Sequence, residues 1–535
     1  MKKVLGFIAA AALAACVQRG GVEYGGYDEY DGMPVENPEF IAGDFNSGDY
    51  GSYEDPNAAG AVKTVAVLLP LSGTNAELGA NLQHAIEIAF VQSRPRDIVV
   101  SFNDIAGVSE PKESVIQRVL DNRPDLIIGP VFAEDVKMLR EIKDDALPVI
   151  SFTTDPSALG AGVFTIGLLP TQGAESIIKQ MAADGRRDAV VIAPNNQTGY
   201  LMANTAIGAA DIYGIKIAGI YYYSENNPED MKLTAERASL FQTRNAANDK
   251  SREILSDILV KEKITAGDRA NMNEQLEKLS KRDTVGPIPY DSVLFLGNTN
   301  DSKTLASFMR YFDIPMRSVE FYGTPTWDNP SMATDINLAG AKYSALPVVN
   351  DDFQTLFADI EKKAPSRMDS FAYDAAMLAI NALKSDKITM NYIMNPSGYR
   401  GLDGLFRLRP NGVSERALQV LKLNGTSNPA LISGAPRNFL EPLYQTAAAS
   451  DAKPRAREIS GYRVQPMDYI AIPQNLRGKY QSAALGTKTA RPARDAEPTV
   501  LYSPESDADP IEQLPEYQPI QFETIDRTQI DEREI

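Results

Sequence analysis

The stretch that decides the fold is Val65-Ala66-Val67-Leu68-Leu69-Pro70-Leu71-Ser72-Gly73. Its five leading apolar residues predict a buried parallel strand, because a strand that is covered on both faces reads as a continuous apolar run. Pro70 and Ser72-Gly73 end the strand in a turn. A helix is predicted next, since the apolar residues between Glu77 and Gln92 recur at helical spacing.

The same alternation of strand and helix continues along the chain. Further strands are predicted at 98–102, 125–128 and 148–152, and a second series at 189–193, 215–222, 292–297 and 319–323. Such alternation predicts parallel sheets with helices on both faces, and two series in succession predict an α/β fold of two lobes with a cleft between them. Ligands of these sheets bind at the carboxyl ends of the strands. Residues 229–282 are charged and helical in pattern, and they interrupt the second series.

The first residues predict export and lipidation. Two lysines precede an apolar run, Val4 to Leu13, that is too short to cross a bilayer core of about 30 Å. The sequence Leu13-Ala14-Ala15-Cys16 resembles the lipobox of bacterial lipoproteins, which implies a lipid on Cys16 and attachment to a membrane. An ordinary signal peptide is the alternative. Val17 after the cysteine implies, by the same resemblance, an outer-membrane lipoprotein that faces the periplasm.

Composition and charge restrict the classes of protein. The 535 residues exceed one ordinary domain, and 43% hydrophobic with 23% charged residues excludes a disordered chain, a collagen and a polytopic membrane protein. The net charge of −18 is concentrated at the ends. Residues 20–60 hold ten carboxylates without Lys or Arg, and residues 495–535 hold twelve against Arg527 and Arg533, so the body between them is close to neutral. The acidic balance and the predicted export argue against nucleic acid as a partner.

Domain boundaries follow from these shifts in composition. Glycines and tyrosines alternate with the acids before residue 61, without any helical or strand period, which is typical of a solvated linker; a partner-binding segment is the alternative. Prolines and acids after residue 487 predict a disordered tail. The predicted divisions are a signal peptide (1–15), a lipid-anchored acidic linker (16–61), a two-lobed domain (62–425), a C-terminal extension (426–486) and the tail (487–535). Within the domain, lobe 1 is expected at 62–170 and 350–396, and lobe 2 at 171–349 and 397–425.

The ordered motifs of the body resemble a known superfamily. Residues 67–73, Asp125–Pro130, Pro148–Ser151 and Phe321–Thr324 are similar, in this order, to type I periplasmic binding proteins of the leucine/isoleucine/valine-binding kind. Phe371–Ala376 and Tyr399–Phe406 continue the resemblance. It covers about residues 62–425 and implies the two-lobed fold.

Two further features resemble the penicillin-binding protein activators of Gram-negative bacteria. These features are the lipobox and the charged helical insertion at 229–282. The resemblance implies a non-enzymatic lipoprotein whose partner is a peptidoglycan synthase, a penicillin-binding protein. The sequence departs from the enteric activators in that the short acidic linker stands where those carry an N-terminal helical-repeat domain. The competing hypothesis is a solute-binding receptor of a branched-chain amino acid-type ABC transporter.

The expected amino-acid site of the superfamily is altered. Val131-Phe132-Ala133 stands where receptors place a serine, and Asp155 stands where they place a threonine. Thr198 precedes Gly199 in place of a tyrosine, and Thr324 follows Gly323 in place of an acid. An unmodified amino-acid ligand is therefore not expected, whereas another small molecule in the interlobe cleft remains a candidate partner.

Eight polar or aromatic residues fall at predicted strand ends, where ordinary turn chemistry is the alternative to ligand contact. Trp327 is the foremost candidate because it is the single tryptophan and lies in a predicted loop. The candidate ligand contacts are Ser72, Thr153, Thr154, Thr198, Tyr200, Asn298, Thr324 and Trp327.

No catalytic apparatus, metal site or cofactor is expected. His84 is the single histidine and falls on the polar side of its predicted helix, and Cys16 is the single cysteine. Zinc sites and triads that depend on histidine are excluded on these counts. The sequence therefore predicts a protein that is not an enzyme.

Overall fold

The computed structural model describes residues 39–40, 62–385, 389–439 and 452–485, with side chains except at 39–40 and 482–485. Cys16, the signal peptide, all of the acidic linker except Glu39 and Phe40, and the tail from 487 onward lie outside the described residues. The chain divides into two units, Met1–Ile472 and Pro473–Ile535. Both lobes belong to the first unit.

Lobe 1 contains a five-stranded parallel sheet in the order β3-β2-β4-β5-β6. The apolar run that begins at Val65 forms β2, an interior strand of the sheet, where Val65, Val67, Leu68 and Leu69 have no exposed surface. The elements up to this point are β1 (Glu39–Phe40), β2 (Lys63–Leu69), α1 (Ala76–Ser93), β3 (Ile98–Asp104), α2 (Lys112–Asp121), β4 (Leu126–Ile128), α3 (Ala133–Ile142), β5 (Val149–Ser151) and β6 (Val163–Thr165).

Lobe 2 follows as a second run of strands and helices, in which a sheet is again buried between two layers of helices. Three helices in succession, 228–280, form the insertion that the charge pattern predicts. The elements are α4 (Pro170–Ala183), β7 (Asp188–Pro194), α5 (Gln197–Tyr213), β8 (Lys216–Tyr223), α6 (Pro228–Ala238), α7 (Phe241–Lys261), α8 (Ala266–Ser280), β9 (Ser292–Phe295), α9 (Thr299–Tyr311), β10 (Glu320–Gly323), α10 (Pro330–Ala333) and β11 (Lys342–Ala345).

The chain then returns to lobe 1, where α12 packs along α1 and is buried over most of its length. Ser366 and Asp369 form a capping box that starts this helix. The remaining elements are α11 (Asp351–Glu361), α12 (Arg367–Lys384), α13 (Thr389–Ile393), β12 (Tyr399–Gly401), β13 (Gly404–Leu408), β14 (Ser414–Arg416), β15 (Gln419–Lys422), β16 (Ala430–Ser433) and, in the second unit, α14 (Gln474–Leu485). Short 3-10 turns lie at 73–75, 156–158, 325–327, 336–338 and 466–469.

The strands after residue 398 are divided between the lobes differently from the sequence-based expectation. Strands β12 to β14 form a separate sheet with β1 in the order β1-β12-β13-β14, and Tyr399, Phe406 and Leu408 join the hydrophobic core of lobe 1. The assignment of all of 397–425 to lobe 2 is therefore corrected. The physical reason is that the apolar faces of β12 and β13 are buried against α12 and α13. The rings of Tyr399 on β12 and Tyr392 on α13, for example, lie 5.5 Å apart.

Lobe 2 is completed by β15 and β16, so its sheet extends beyond residue 425. The seven strands lie in the order β16-β15-β11-β10-β9-β7-β8, and β15 and β16 are antiparallel to their neighbours. Strands β7 to β11 are parallel, as the alternating pattern predicts. The two-lobed α/β architecture with parallel sheets flanked by helices is thus confirmed.

Candidate functional site

The end of β7 carries the first group of candidate ligand contacts on lobe 2. Asn196 caps α5, because its Oδ1 accepts a hydrogen bond from the Gly199 N–H at 2.8 Å. Gly199 is required here, since a Cβ would lie 2.0 Å from the Pro194 carbonyl oxygen. Thr198 is exposed at the start of the helix, and the hydroxyl of the half-buried Tyr200 donates to Asn195 Oδ1 at 2.7 Å. Thr198 and Tyr200 are thus brought together at one strand end.

Asn298 lies at the end of β9, the neighbouring strand, where it caps α9. Its Oδ1 accepts from the Asp301 N–H and its Nδ2 donates to Asp301 Oδ2, both at 2.9 Å. Burial raises the pKa of Asp301. The Asn298 amide is therefore committed to the start of its own helix, which is the turn chemistry that the sequence left as the alternative.

The end of β10 holds Thr324 and Trp327, which differ in their surroundings. The hydroxyls of Thr324 and Thr326 lie 3.0 Å apart, and Thr326 Oγ1 donates to the Gly297 carbonyl at 2.9 Å. Trp327 has no exposed surface, and its ring packs in the core of lobe 2. Gly323 makes room for it, since a Cβ there would lie 2.1 Å from the indole.

The expectation for Trp327 as the foremost ligand contact is therefore corrected: the side chain is a core residue. Its ring centroid lies 6.0 Å from that of Phe295 and 6.4 Å from that of Tyr343. The position of Trp327 in a predicted loop does not reveal that the short 3-10 turn at 325–327 places the indole ring in the core of lobe 2.

On lobe 1 the candidate residues lie at the ends of β2 and β5, with β4 between them. Although burial raises the pKa of Asp104, hydrogen bonds from the backbone N–H groups of Leu71 and Ala106, at 2.9 and 3.0 Å from its Oδ1, hold this pKa below its usual value. Thr153 is buried and Thr154 is exposed. Ser72 lies in the turn that follows β2, and its role as a ligand contact stays a prediction.

Asp155 stands where receptors of the superfamily place a threonine, and neighbouring groups balance the charge of its carboxylate. Lys137 Nζ lies 2.9 Å from its Oδ2, and the Ser157 N–H donates to its Oδ1 at 2.9 Å. Thr153 Oγ1 accepts from the Asp155 N–H at 3.1 Å. The repulsion of an anion at this position is therefore weaker than an isolated carboxylate would cause.

A buried charged cluster, which we call the hinge cluster (Arg367, Asp374, Asp403 and Arg416), lies where the chain crosses between the lobes. Arg416 Nε and Nη2 donate to the Ile166 carbonyl at 2.9 and 2.6 Å. Arg367 Nη1 donates to Asp403 Oδ1 at 2.5 Å and to the carbonyl of Pro347 at 2.6 Å. The cluster thus joins all three crossings, at 166, at 347 and at 403–416.

The two innermost members of the hinge cluster lie almost completely away from solvent. The Arg416 guanidinium lies over the Phe371 ring at 4.0 Å and the Phe406 ring at 5.0 Å. Burial raises the pKa of Asp374 to about 7, against the opposing effect of Arg416. No pattern in the sequence pointed to this cluster, because its members are separated by up to 49 positions and each is an ordinary charged residue in isolation.

The insertion (α6 to α8) and residues 452–472, which we call the strap, form a second surface of lobe 2. The Ser251 hydroxyl on α7 donates to the Pro466 carbonyl at 3.0 Å, and Gln275 on α8 exchanges hydrogen bonds of 2.9 and 2.6 Å with the backbone of Ala471. An open groove of ≈ 650 Å³ lies between α7 and α8. Its charged lining includes Asp249, Arg252, Glu253 and Glu277.

At the other end of the strap, backbone pairing extends the sheet of lobe 2. The Ile220 N–H donates to the Arg457 carbonyl at 2.8 Å, and the Arg457 N–H donates back at 3.0 Å. This antiparallel bridge covers the β8 edge of the sheet. The sequence predicts only a C-terminal extension at 426–486 and does not indicate this contact, because the strap has no continuous strand pattern.

The described part of the chain offers neither a metal-binding group of side chains nor a membrane-spanning helix. Within residues 39–40, 62–385, 389–439 and 452–485, three or more His, Cys, Asp or Glu side chains do not converge in an arrangement that suits a metal ion. In the same ranges, every helix is too short or too polar to traverse a bilayer.

Comparison with known proteins connects the first half of the body to a lipoprotein family. Residues 59–273 match the family model described as "LppC putative lipoprotein", from before β2 to within α8. This region is therefore similar to the LppC lipoproteins. The match includes α6, α7 and residues 266–273 of α8, so most of the charged insertion lies within the matched region.

Two curated relatives share part of this sequence. The chain is 26% identical over 180 residues to the penicillin-binding protein activator LpoA of Mannheimia succiniciproducens, which covers 33% of this chain and 31% of that protein. It is 22% identical over 166 residues to LpoA of Vibrio vulnificus, which covers 30% of this chain and 28% of that protein. The chain therefore spans about a third of the length of the curated relatives that it matches.

A solved structure shares the fold of the LppC region and of the lobes that contain it. The protein from Rhodospirillum rubrum described as "a putative branched-chain amino acid ABC transporter" aligns with a TM-score of 0.53 at 14% identity. The alignment covers 69% of this chain and all of that chain. This likeness shows the fold, the type I periplasmic-binding-protein architecture, and carries no information on the ligand.

Proposed function

We propose that the protein is a non-enzymatic lipoprotein regulator that activates a peptidoglycan synthase of the penicillin-binding protein class. The observation that carries the proposal is the match of residues 59–273 to the LppC family, together with the similarity to two LpoA activators. The shared fold of the transporter protein does not decide between regulator and receptor, because the same fold serves both.

The anchoring follows from the N-terminal sequence. Cys16 would carry the lipid, and Val17 favours retention in the outer membrane with the body in the periplasm. A synthase that works on the cell wall is accessible from that side. The regulator then acts by contact, so it needs a protein surface.

The insertion and the strap supply the surface that we assign to the synthase. Val260 near the end of α7 is 83% exposed, and salt bridges between residues four apart, such as Lys278 with Glu274, line the outer face of α8. We propose that the synthase covers this apolar side chain on binding and pairs with the charges around it. The hydrogen bonds of the strap to Ser251 and Gln275 hold both long helices in place.

The cleft is proposed to bind a small molecule that differs from a free amino acid. Thr198, Tyr200, Asn298 and Thr324 lie at strand ends of lobe 2, and Ser72, Thr153 and Thr154 lie at strand ends of lobe 1. Their role as ligand contacts stays a prediction. Several of these groups are engaged in caps and turns, so a ligand would compete with hydrogen bonds inside the protein.

The direct test is stimulation of purified penicillin-binding proteins from the same bacterium by the full mature lipoprotein in detergent. We expect the rate of glycan polymerisation or of peptide cross-linking by one synthase to rise severalfold. Val260→Asp should reduce the increase in rate at least tenfold, which leaves the synthase close to its basal rate. Val91→Asp is the matched control, since Val91 is a 67% exposed valine on α1 of lobe 1.

A co-purification experiment separates the regulator from the transporter receptor. The tethered protein is recovered from cross-linked membranes, and its partners are identified by mass spectrometry. Recovery of a penicillin-binding protein supports the proposal. Recovery of ABC transporter permease subunits without any penicillin-binding protein would overturn it.

A further inference from the structure

Lys453, on the strap, occupies a site made of two aromatic rings and an amide oxygen. Its Nζ lies 2.6 Å from Asn195 Oδ1, 4.9 Å from the centroid of the Tyr222 ring and 5.3 Å from that of Tyr200. The two rings meet edge to face, with centroids 5.5 Å apart and planes at 86°. This set of groups attracts an ammonium ion, because the ring faces and the amide oxygen are all electron-rich.

The three groups that surround the ammonium are held by the protein itself. The Tyr200 hydroxyl donates to Asn195 Oδ1 at 2.7 Å, which orients both residues. The Tyr222 hydroxyl donates to the Pro454 carbonyl at 3.1 Å. Burial raises the pKa of Tyr222 to about 12, so its ring stays neutral at physiological pH. The site is preorganised rather than assembled by Lys453 alone.

The position of this site matches the place where ligands of such folds bind. Asn195 directly follows β7 and Tyr222 is the penultimate residue of β8, so both lie at the carboxyl ends of parallel strands. Tyr200 is one of the residues that the sequence nominates for ligand contact. The Lys453 side chain reaches this strand end from a segment more than 200 residues away in the sequence.

The rest of the strap is attached independently of Lys453. The backbone bridge between Arg457 and Ile220 and the hydrogen bonds of Pro466 and Ala471 do not involve its side chain. Lys453 itself is exposed, and its flexible side chain can therefore leave the rings while the strap remains bound.

We infer that Asn195, Tyr200 and Tyr222 form a binding site for a primary ammonium group and that Lys453 is its internal occupant. The ligand is an alkylammonium group, as at the end of a lysine-like side chain of a peptide. It binds when Lys453 leaves, so the strap acts as a competitor. This inference rests on the proposed cleft ligand but does not require a synthase.

The competition sets the direction of the measurable effect. A tethered group competes at an effective concentration in the millimolar range. Removing its charge should therefore raise the apparent affinity for an external ammonium group at least tenfold. The conservative change Lys453→Arg retains a cation and should leave the site blocked.

The experiment uses the full mature chain in detergent and ligand-observed saturation-transfer NMR. The probe is Nα-acetyl-lysine methylamide, and the control compound is its Nε-acetylated form, which lacks the charge. We expect Lys453→Met to bind the probe at least tenfold more tightly than the unmodified protein and Lys453→Arg. The Lys453→Met/Tyr200→Leu double variant should lose the gain.

The outcomes are decisive in both directions. Equal affinity of Lys453→Met and the unmodified protein would overturn the inference, as would equal binding of the acetylated control compound. Circular dichroism verifies that each variant is folded. No synthase is present in these measurements, so a failure here is distinguishable from a failure of the proposed activation.

Discussion

Replacement of Arg416 by methionine tests the hinge cluster most directly. Methionine preserves much of the aliphatic volume but removes the guanidinium that donates twice to the Ile166 carbonyl. It also leaves Asp374 buried without its main opposing charge. Both effects destabilise the folded state.

The magnitude follows from what the guanidinium does. Each hydrogen bond from a charged donor contributes about 1.5–3 kcal/mol, and leaving a buried charge without compensation typically costs about 3–5 kcal/mol. The contacts with Phe371 and Phe406 lie within the range of cation–π interaction. Because these contributions overlap, we expect Arg416→Met to lower the free energy of unfolding by about 3–5 kcal/mol.

The assay is urea unfolding followed by far-ultraviolet circular dichroism. Asp374→Asn keeps an acceptor for the Leu402 N–H and removes a carboxylate whose pKa burial raises, so it should cost less than Arg416→Met. The double variant should lose at least about 1 kcal/mol less than the sum of the single losses, because the residues interact. Arg317→Met is the matched control at an exposed position and should lie within about 0.5 kcal/mol of the unmodified protein. A loss below 1 kcal/mol for Arg416→Met, or strict additivity, would refute the reasoning.

Three further predictions concern single positions. Burial and the nearby Glu415 raise the pKa of Glu175 to about 7. The folded state therefore holds this proton more tightly than the unfolded state does. The resulting stabilisation is present below the ordinary pKa of a glutamate and is lost as the pH rises through 7. Glu175→Gln should therefore gain about 3 kcal/mol relative to the unmodified protein between pH 4.5 and pH 8 in urea titrations, with Glu141→Gln as the matched exposed control. Gly323→Ala should cost about 1–3 kcal/mol in the same assay, because its Cβ would force the Trp327 ring from a filled core; an unchanged midpoint would contradict this packing. Trp327 fluorescence should resist quenching by acrylamide until the protein unfolds, and efficient quenching in the folded state would show that the ring is accessible.

Local sequence patterns were sufficient for most of the fold. The apolar run at Val65 and the later apolar runs predicted the parallel strands, because a strand that is buried on both faces consists of consecutive apolar residues. The assignment of 397–425 failed at Tyr399 and Phe406, since an alternating strand does not reveal which of two cores will cover its apolar face. That choice depends on α12, a helix more than ten residues away in the sequence and in contact with lobe 1.

The candidate site was predictable only in outline. Strand ends predicted Tyr200 and Thr198 as ligand contacts, which stays a prediction. They did not reveal that Lys453 lies over the Tyr200 ring, because Lys453 belongs to a segment without strand or helix periodicity. Trp327 illustrates the opposite error, since an isolated aromatic residue in a loop looks available until the space beside Gly323 is known. Polar groups that cap helices, such as Asn298, also look like ligand contacts when only their position in the sequence is known.

The division of lobe 1 along the chain has a consequence for its biogenesis. Its core combines residues 65–166 with residues 346–418, and the segment between them builds most of lobe 2. During synthesis and export, the apolar face of α1 therefore has no α12 to pack on until nearly 300 further residues have emerged. Strands β7 to β11 precede α12 in the chain, so lobe 1 is still incomplete while they emerge, and incomplete intermediates of this kind expose apolar surface that favours aggregation. A chain that stops before residue 384 would lack part or all of α12, which covers one face of the first sheet together with α1.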